Sequence, residues 1–467
     1  MTGFASNPAA LDTIAEIERR LPLVSFWGSR FVDLSLSEVM DRLDVPGLSV
    51  AVVSDGRLDW ARGYGQCDAD DRDPIETSTL FQAASISKPV AALAALRMVE
   101  LGHLDLDEDL NAYLTSWRIP ANDDWQPRIT LRHLLSHCAG LTVHGFTGYR
   151  RTQPRPTLLQ ILDGQPPANT APIRVDALPG TQYRYSGGGY TVLQQLLEDV
   201  SGEPFPSLVR SLVLDPAGMD QSLYAQPLPD ALHPVAASGH RPGGEVIGGK
   251  WHVYPELAAA GLWTTPSDLC RLAMTLQQTL AGESSVILSP SMMRQMLQPQ
   301  ADEHMGVGFF VGWDGAQARF GHTGGNEGFR CEYVAYQQGG FAAAVMSNSD
   351  SGAAVVSAML QAIASAYGWP GYVTSPQPQL QPNQDAVDRL TGDYELRPGF
   401  QLSIKQAPNG LTLTVQGQQP LNLNPAEGRT WTVHEVDIVV SFDVQRDQSP
   451  VLVLRQNGTD LLAMRIR

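Results

Sequence analysis

Lysine is nearly absent from this 467-residue chain: Lys88, Lys250 and Lys405 stand against 29 arginines. Cysteine is as sparse. Cys67, Cys138, Cys270 and Cys331 lie far apart with no C-x-x-C pair, so neither a zinc site nor a disulfide framework is indicated. No run of ~18 apolar residues occurs that would span a membrane. Positive charge is also short. A net charge of −17 with no Lys/Arg cluster argues against nucleic acid and anionic membrane surfaces as partners. The opening residues Met1 to Leu21 contain acidic side chains and no apolar signal core. The chain as it stands is therefore expected in the cytoplasm, or in the periplasm or medium if a leader was removed. No cofactor or metal is called for by any motif, and the sequence leaves the oligomeric state open. The length allows two or three domains, each with its own core.

The scarcity of lysine gives weight to the place where one is kept. Phe81 to Leu96 is a run of small and apolar residues with a single charge, Lys88. Ile86 to Leu101 reads as a helix apolar on every side, and therefore buried, with Gly102 placed to cap its end. An unpaired buried ammonium costs several kcal/mol or more, so Lys88 must be partnered or neutral. Ser85 lies three residues earlier, on the same face and at the helix start, where free N–H groups favour developing negative charge. A serine hydroxyl needs a base to become a nucleophile, and a desolvated lysine can be one. Arginine cannot, because it does not give up its proton. Neither Lys250 nor Lys405 has a serine three residues upstream. Pro89 disfavours helical geometry at Lys88, which sets the start of the helix at or just before Ser85.

Ahead of this stretch, a helix is expected near Ala9 to Arg20, then a hairpin of two strands, Gly47 to Val53 and a second through Leu58 and Trp60. From Leu104 to about Leu297 helices and Pro/Gly loops take over. In this part Thr130 caps a predicted helix running to His137, with His133 and His137 at the i, i+4 spacing of a metal pair. The intervening residues lack a zinc protease's glutamate and are apolar, so core or supporting histidines are favoured. Strands return at Val307 to Val311, Ala318 to His322, Phe329 to Tyr336 and Phe341 to Ser347, followed by a helix from Ala353 to Ala366. Their short connections make an antiparallel meander that the first hairpin can complete. The fold class is thus α+β, an antiparallel sheet flanked by helices with an inserted helical lobe. Residues 375–386 are a Pro/Gln linker by composition. Residues 387–467 alternate as short strands, with turn signals at Pro408-Asn409-Gly410 and Asn457-Gly458, and form a small C-terminal all-β, barrel-like domain after the main domain of residues 1–374.

A serine–lysine pair needs an oxyanion hole and a second proton carrier. Phe320 to Asn326 offers the first: a strand end with glycines, where the amides of Gly325 and Ser85 would hold the oxygen. His322 would orient the network or bind a substrate carboxylate. Tyr183-Arg184-Tyr185-Ser186-Gly187-Gly188-Gly189-Tyr190 offers the second, since a phenol can act as acid or base if a nearby cation lowers its pKa. Spacing alone does not choose among the three tyrosines.

The order of these motifs resembles the serine β-lactamase-like superfamily, which includes class C β-lactamases, D,D-carboxypeptidases, D-aminopeptidases and family VIII esterases. The similarity runs from about Leu36 to Gly368 and extends to Leu134 to Leu141, Leu214 to Met219 and Ala260 to Thr265. The resemblance implies Ser85 as the acylated nucleophile, Lys88 as its amine partner and Tyr185 as the tyrosine. It sets His322-Thr323-Gly324 in place of K-T-G for binding and orienting substrate. Gly187 then stands where the lactamases have an asparagine that grips the substrate, and His322 where they have a fixed cation. The implied activity is a serine hydrolase working through an acyl-Ser85 intermediate on small-molecule esters, amides or peptides. A true β-lactamase or D,D-carboxypeptidase and a non-catalytic ligand- or partner-binding member are the alternatives. The C-terminal domain resembles the lipocalin-like appendage of some family peptidases.

Overall fold

The turn at Asp55-Gly56 has both residues in the left-handed region, φ 50° and 69°, the geometry that lets a two-residue turn match strand twist. It joins Gly47–Ser54 to Arg57–Gly65. Gly47–Ser54 is buried along nearly its whole length, so both faces of the sheet it enters are covered. A computed structural model describes residues 8–24, 31–69, 73–312 and 315–372. Beyond these it describes 387–388, 390–397, 400–407, 410–415, 420–425, 430–433, 438–443, 451–456 and 459–466.

Six strands form the main antiparallel sheet, in the spatial order Arg57–Gly65, Gly47–Ser54, Ala342–Ser347, Phe329–Tyr336, Arg319–Asn326 and Phe310–Gly312. The N-terminal hairpin thus completes a sheet whose other strands come much later in sequence. Between them the chain leaves to build the helical lobe, which includes Ser87–Glu100 and Gly187–Ser201, and returns through Pro266–Ala281, which packs against the sheet. Ala353–Ala366 forms as read and packs against the sheet, with Pro8–Arg19 beside it. Three readings shift. Of Val307 to Val311 only Phe310 and Val311 enter the sheet, in the strand Phe310–Gly312: at Gly308, with φ +99°, a Cβ would stand 2.5 Å from that of Ala92, so the chain there packs on the buried helix. The strand read as Ala318 to His322 runs on to Asn326. The helix capped by Thr130 stops at Leu135, and His137 turns left-handed at φ 56°, so His133 and His137 do not share a helix face.

By internal contacts the chain divides into two units: Met1–Leu21 with Leu34–Val373, and Pro22–Asp33 with Thr374–Arg467. The second contains an eight-stranded antiparallel barrel from Gly392–Arg397 to Thr459–Arg465, closed by the pairs Tyr394↔Arg465 and Glu395↔Met464. Its interior holds Leu402, Ile404, Leu411, Leu413, Leu423, Trp431, Val440 and Leu452. The linker 375–386 and the turn residues Pro408, Asn409, Asn457 and Gly458 lie outside the described residues. No helix among the described residues is long and apolar enough to cross a membrane.

Candidate active site

The buried helix is entered by a tight 3₁₀ turn, Ala84–Ile86, that carries Ser85 into the α-helix Ser87–Glu100. Ala84 sits at φ 49°, a left-handed conformation costly for a residue with a Cβ. Ser87 fixes the turn from behind: its Oγ accepts from the Leu262 amide at 3.0 Å, and its carbonyl accepts from the Tyr224 hydroxyl at 2.6 Å. Lys88 is 2% exposed, and its Nζ lies 2.8 Å from Ser85 Oγ and 2.8 Å from the Ala259 carbonyl. No carboxylate pairs with it among the described residues. Burial alone pulls its pKa down to about 7. A neutral amine has two N–H groups and one lone pair. With one N–H donated to Ala259, the lone pair is free to accept the Ser85 proton.

Tyr185 is the tyrosine that reaches the pair. Its hydroxyl hydrogen-bonds with the Ser85 side chain, and Lys88 Nζ stands 5.0 Å from its ring centroid. Tyr190, by contrast, donates its hydroxyl to the Leu135 carbonyl at 3.1 Å, and Tyr183 meets His137 edge-on. Burial raises the Tyr185 pKa, with the bond to Ser85 opposing it. The sequence reading had a cation lowering it. In the folded site burial prevails, and Lys88 is not among the influences on the phenol. Tyr185 is therefore a proton donor in the resting site.

Gly325, the expected oxyanion amide, lies near the end of the strand Arg319–Asn326. Asn326 and Phe329 flank the two-residue turn Glu327-Gly328 as the hydrogen-bonded pair of a tight hairpin, so Gly325, opposite Arg330, turns its N–H away from the neighbouring strand. On that outer side Phe310–Gly312 pairs only with Arg319, Phe320 and Gly321. Residues 322–326 thus present an open edge. Gly324 holds it against the nucleophile turn: a Cβ there would lie 2.3 Å from the Ala83 carbonyl oxygen and 2.5 Å from Cys331 Sγ. Asn326 secures the strand end by donating to Gln82 Oε1 at 2.8 Å and to the Ala260 carbonyl at 3.2 Å. Thr323 is exposed on the other face.

His322 is buried on the nucleophile side, its ring 4.5 Å from that of Phe310 and 6.3 Å from that of Tyr185. Its Nδ1 lies 2.6 Å from the Thr323 carbonyl. A carbonyl can only accept, so Nδ1 carries the proton and Nε2, buried without a hydrogen-bond partner, is left as an acceptor. Burial, then Lys88, pushes the pKa down to about 3. The expectation that His322 binds a substrate carboxylate does not fit this state, because the ring is neutral at physiological pH.

Three groups beside the site were not singled out for it by the sequence. His137 stacks on Tyr185 with centroids 4.2 Å apart, and its Nδ1 accepts from the Ser186 amide at 3.1 Å. The Ala259 carbonyl sits one residue before the Ala260 to Thr265 string, which was the available signal. His144 lies 5.0 Å from Tyr185, ring to ring, and accepts at its carbonyl from the Gly187 amide at 2.9 Å.

A serine in contact with a buried lysine of lowered pKa at the head of a buried helix, beside the open edge of an antiparallel sheet, is the arrangement of the β-lactamase-fold serine hydrolases. Residues 32–368 match the Beta-lactamase family, and the chain belongs to it. Its relatives carry several activities in their names. Esterase EstB of Burkholderia gladioli is 29% identical over 197 residues, 40% of this chain and 49% of its own length, so the match spans about half of that esterase. D-aminopeptidase of Gluconobacter oxydans is 25% identical over 82% of this chain and 69% of its own. The octameric penicillin-binding protein homologue from Pyrococcus abyssi shares the fold with a TM-score of 0.62 at 19% identity, over 92% of this chain and 98% of that one.

Proposed function

We propose that the chain hydrolyses small esters and amides through an acyl-Ser85 intermediate. The observation that carries this reading is the 2.8 Å approach of Ser85 Oγ to a lysine held near neutrality by burial. As Oγ attacks the carbonyl carbon, Lys88 accepts its proton and the ammonium so formed stays bound to the Ala259 carbonyl. The amides of Ser85 and Gly325 stabilise the oxyanion. Collapse of the tetrahedral intermediate breaks the bond to the leaving group, which takes the Tyr185 proton, and Lys88 returns its own proton to Tyr185. Water then attacks the acyl-enzyme, giving up a proton to Lys88 by the same route reversed, and Ser85 leaves with a proton restored. Every proton borrowed is returned in each half-reaction.

The neutral His322 and the absence of an asparagine at 187 favour this reading over a β-lactamase or D,D-carboxypeptidase in the strict sense, which the resemblance ties to a cation and that amide. The intact Ser85, Lys88 and Tyr185 set disfavours a purely binding role. A panel of p-nitrophenyl esters, D-amino-acid p-nitroanilides and a chromogenic cephalosporin tests it. Turnover of the esters or anilides with slower cephalosporin hydrolysis is expected. Turnover of the cephalosporin alone would favour the lactamase reading, and turnover of none would favour binding.

A further inference from the structure

The helix Gly187–Ser201 starts two residues past Tyr185 with three glycines. At the first of them a side chain has no room: a Cβ on Gly187 would lie 2.9 Å from Phe146 Cε2 and 3.0 Å from the His144 carbonyl oxygen. At Gly188 it would lie 2.6 Å from the Thr142 carbonyl oxygen. The segment that takes this space is fastened to the helix start. Gly187 donates to the His144 carbonyl at 2.9 Å, Gly188 to the Val143 carbonyl at 3.0 Å, and Ser186 Oγ to the Thr142 carbonyl at 2.9 Å. Thr142 to Phe146 therefore lies as a fixed strap across the beginning of the helix. It sets the His144 ring 5.0 Å from that of Tyr185 and the Phe146 ring over Gly187. Phe146 is half-buried, packed on the apolar core yet still partly open.

The volume beside the site tyrosine that a side chain at 187 would fill is thus held by an aromatic ring supplied from another segment. A polar side chain there would offer hydrogen bonds. A phenyl ring offers a flat apolar face and no donor or acceptor. We infer that Phe146, flanked by His144, selects the acyl group, favouring esters and amides whose acyl part carries an apolar, above all aromatic, side chain. This rests on the acyl-Ser85 reading.

The test compares kcat/KM for p-nitrophenyl phenylacetate and p-nitrophenyl acetate. Phe146→Ala is expected to lower the phenylacetate-to-acetate ratio about tenfold, mostly through KM, the size expected for losing one apolar contact surface. Gly187→Asn, which must push the ring aside, should lower the same ratio. Phe146→Ala/Gly187→Asn should lose less than the two single changes combined, because both act on one space. Phe146→Leu keeps the core contact but not the flat face, and should shift the phenylacetyl-to-isobutyryl ratio about threefold toward isobutyryl. That variant carries the test if the alanine variant does not fold. An unchanged ratio in folded Phe146→Ala or Phe146→Leu overturns the inference, as does full additivity in the double variant. Mass spectrometry of the unaltered protein with each ester separates the two claims. Absence of an acyl-Ser85 adduct defeats the proposed function, whereas an adduct with unchanged ratios defeats only the selector.

Discussion

The barrel and the hydrolase unit are filled in opposite ways. Among the described residues the barrel core, from Val387 to Ala463, carries two polar side-chain groups, the Trp431 indole N–H and the Tyr394 hydroxyl, and the hydroxyl donates to the Leu390 carbonyl at 2.8 Å. Among the described residues the hydrolase unit buries Lys88 with no carboxylate paired to it and leaves Nε2 of both His137 and His322 without a partner. A buried polar atom left unsatisfied costs roughly 1–3 kcal/mol. Among the described residues no such atom is found in the barrel, whereas the hydrolase unit holds several: those of His137 and His322 stand beside Tyr185, and others, such as Tyr64 Oη on the strand Arg57–Gly65 and Gln277 Oε1 on the helix Pro266–Ala281, are on elements that carry none of the candidate site residues. At the candidate site the two unpartnered imidazole nitrogens belong to rings whose centroids lie 4.2 and 6.3 Å from that of Tyr185.

The contrast can be broken from the hydrolase side first. Ser85→Ala should lower kcat by at least about a thousandfold, since the nucleophile is lost while the fold is kept. Lys88→Arg should follow, with a loss of about a hundredfold or more, because a guanidinium keeps the charge and cannot accept the proton. Near wild-type rates for that variant would make Lys88 structural. Tyr185→Phe should cost about 10- to 100-fold in kcat and far more than Tyr183→Phe or Tyr190→Phe. Equal losses at the three positions would remove Tyr185 from its role.

Acidity gives a smaller effect. As the proposed base Lys88 would act in its unprotonated form, and burial lowers its pKa from 10.5 to about 7. Activity therefore rises with pH through that ionisation, and kcat/KM should fall about tenfold between pH 8 and pH 6. His322, at about 3, stays neutral across this range and adds no second limb. A profile flat from pH 5 to 8 would show that Lys88 does not titrate as the base. The smallest effect on turnover is expected from the barrel. We propose that it folds apart from the hydrolase unit, so Leu413→Ala should destabilise it by about 2–5 kcal/mol. Ester turnover at 25 °C should change less than twofold. Calorimetry alongside the assay checks both, and a parallel loss of activity would join the two units into one core.

How far the sequence alone reached differs between residues for physical reasons. The contact of Ser85 with Lys88 was legible because side chains three residues apart at a helix start share a face, and a lone lysine in an apolar helix needs a partner. Ala353–Ala366 was legible because its apolar pattern is local. His137 was misplaced because the i, i+4 rule assumes an unbroken helix, and this one ends at Leu135. The strand through Gly324 and Gly325 was read too short because glycine and asparagine lower strand propensity, whereas pairing with Phe329–Tyr336 carries it to Asn326. The Ala259 carbonyl and the Phe146 ring had no signal of this kind. One is a backbone atom, and the other reaches Gly187 only through the folded strap.

The central claim is a covalent one, and trapping tests it most directly. The protein is mixed with a slowly deacylating p-nitrophenyl ester, quenched in acid within the burst of p-nitrophenol release, digested and sequenced by mass spectrometry. The account predicts one acyl group per chain, on the peptide containing Ser85, absent from Ser85→Ala and formed more slowly by Lys88→Arg. Ester turnover with no adduct, or an adduct on another residue that persists in Ser85→Ala, would contradict it.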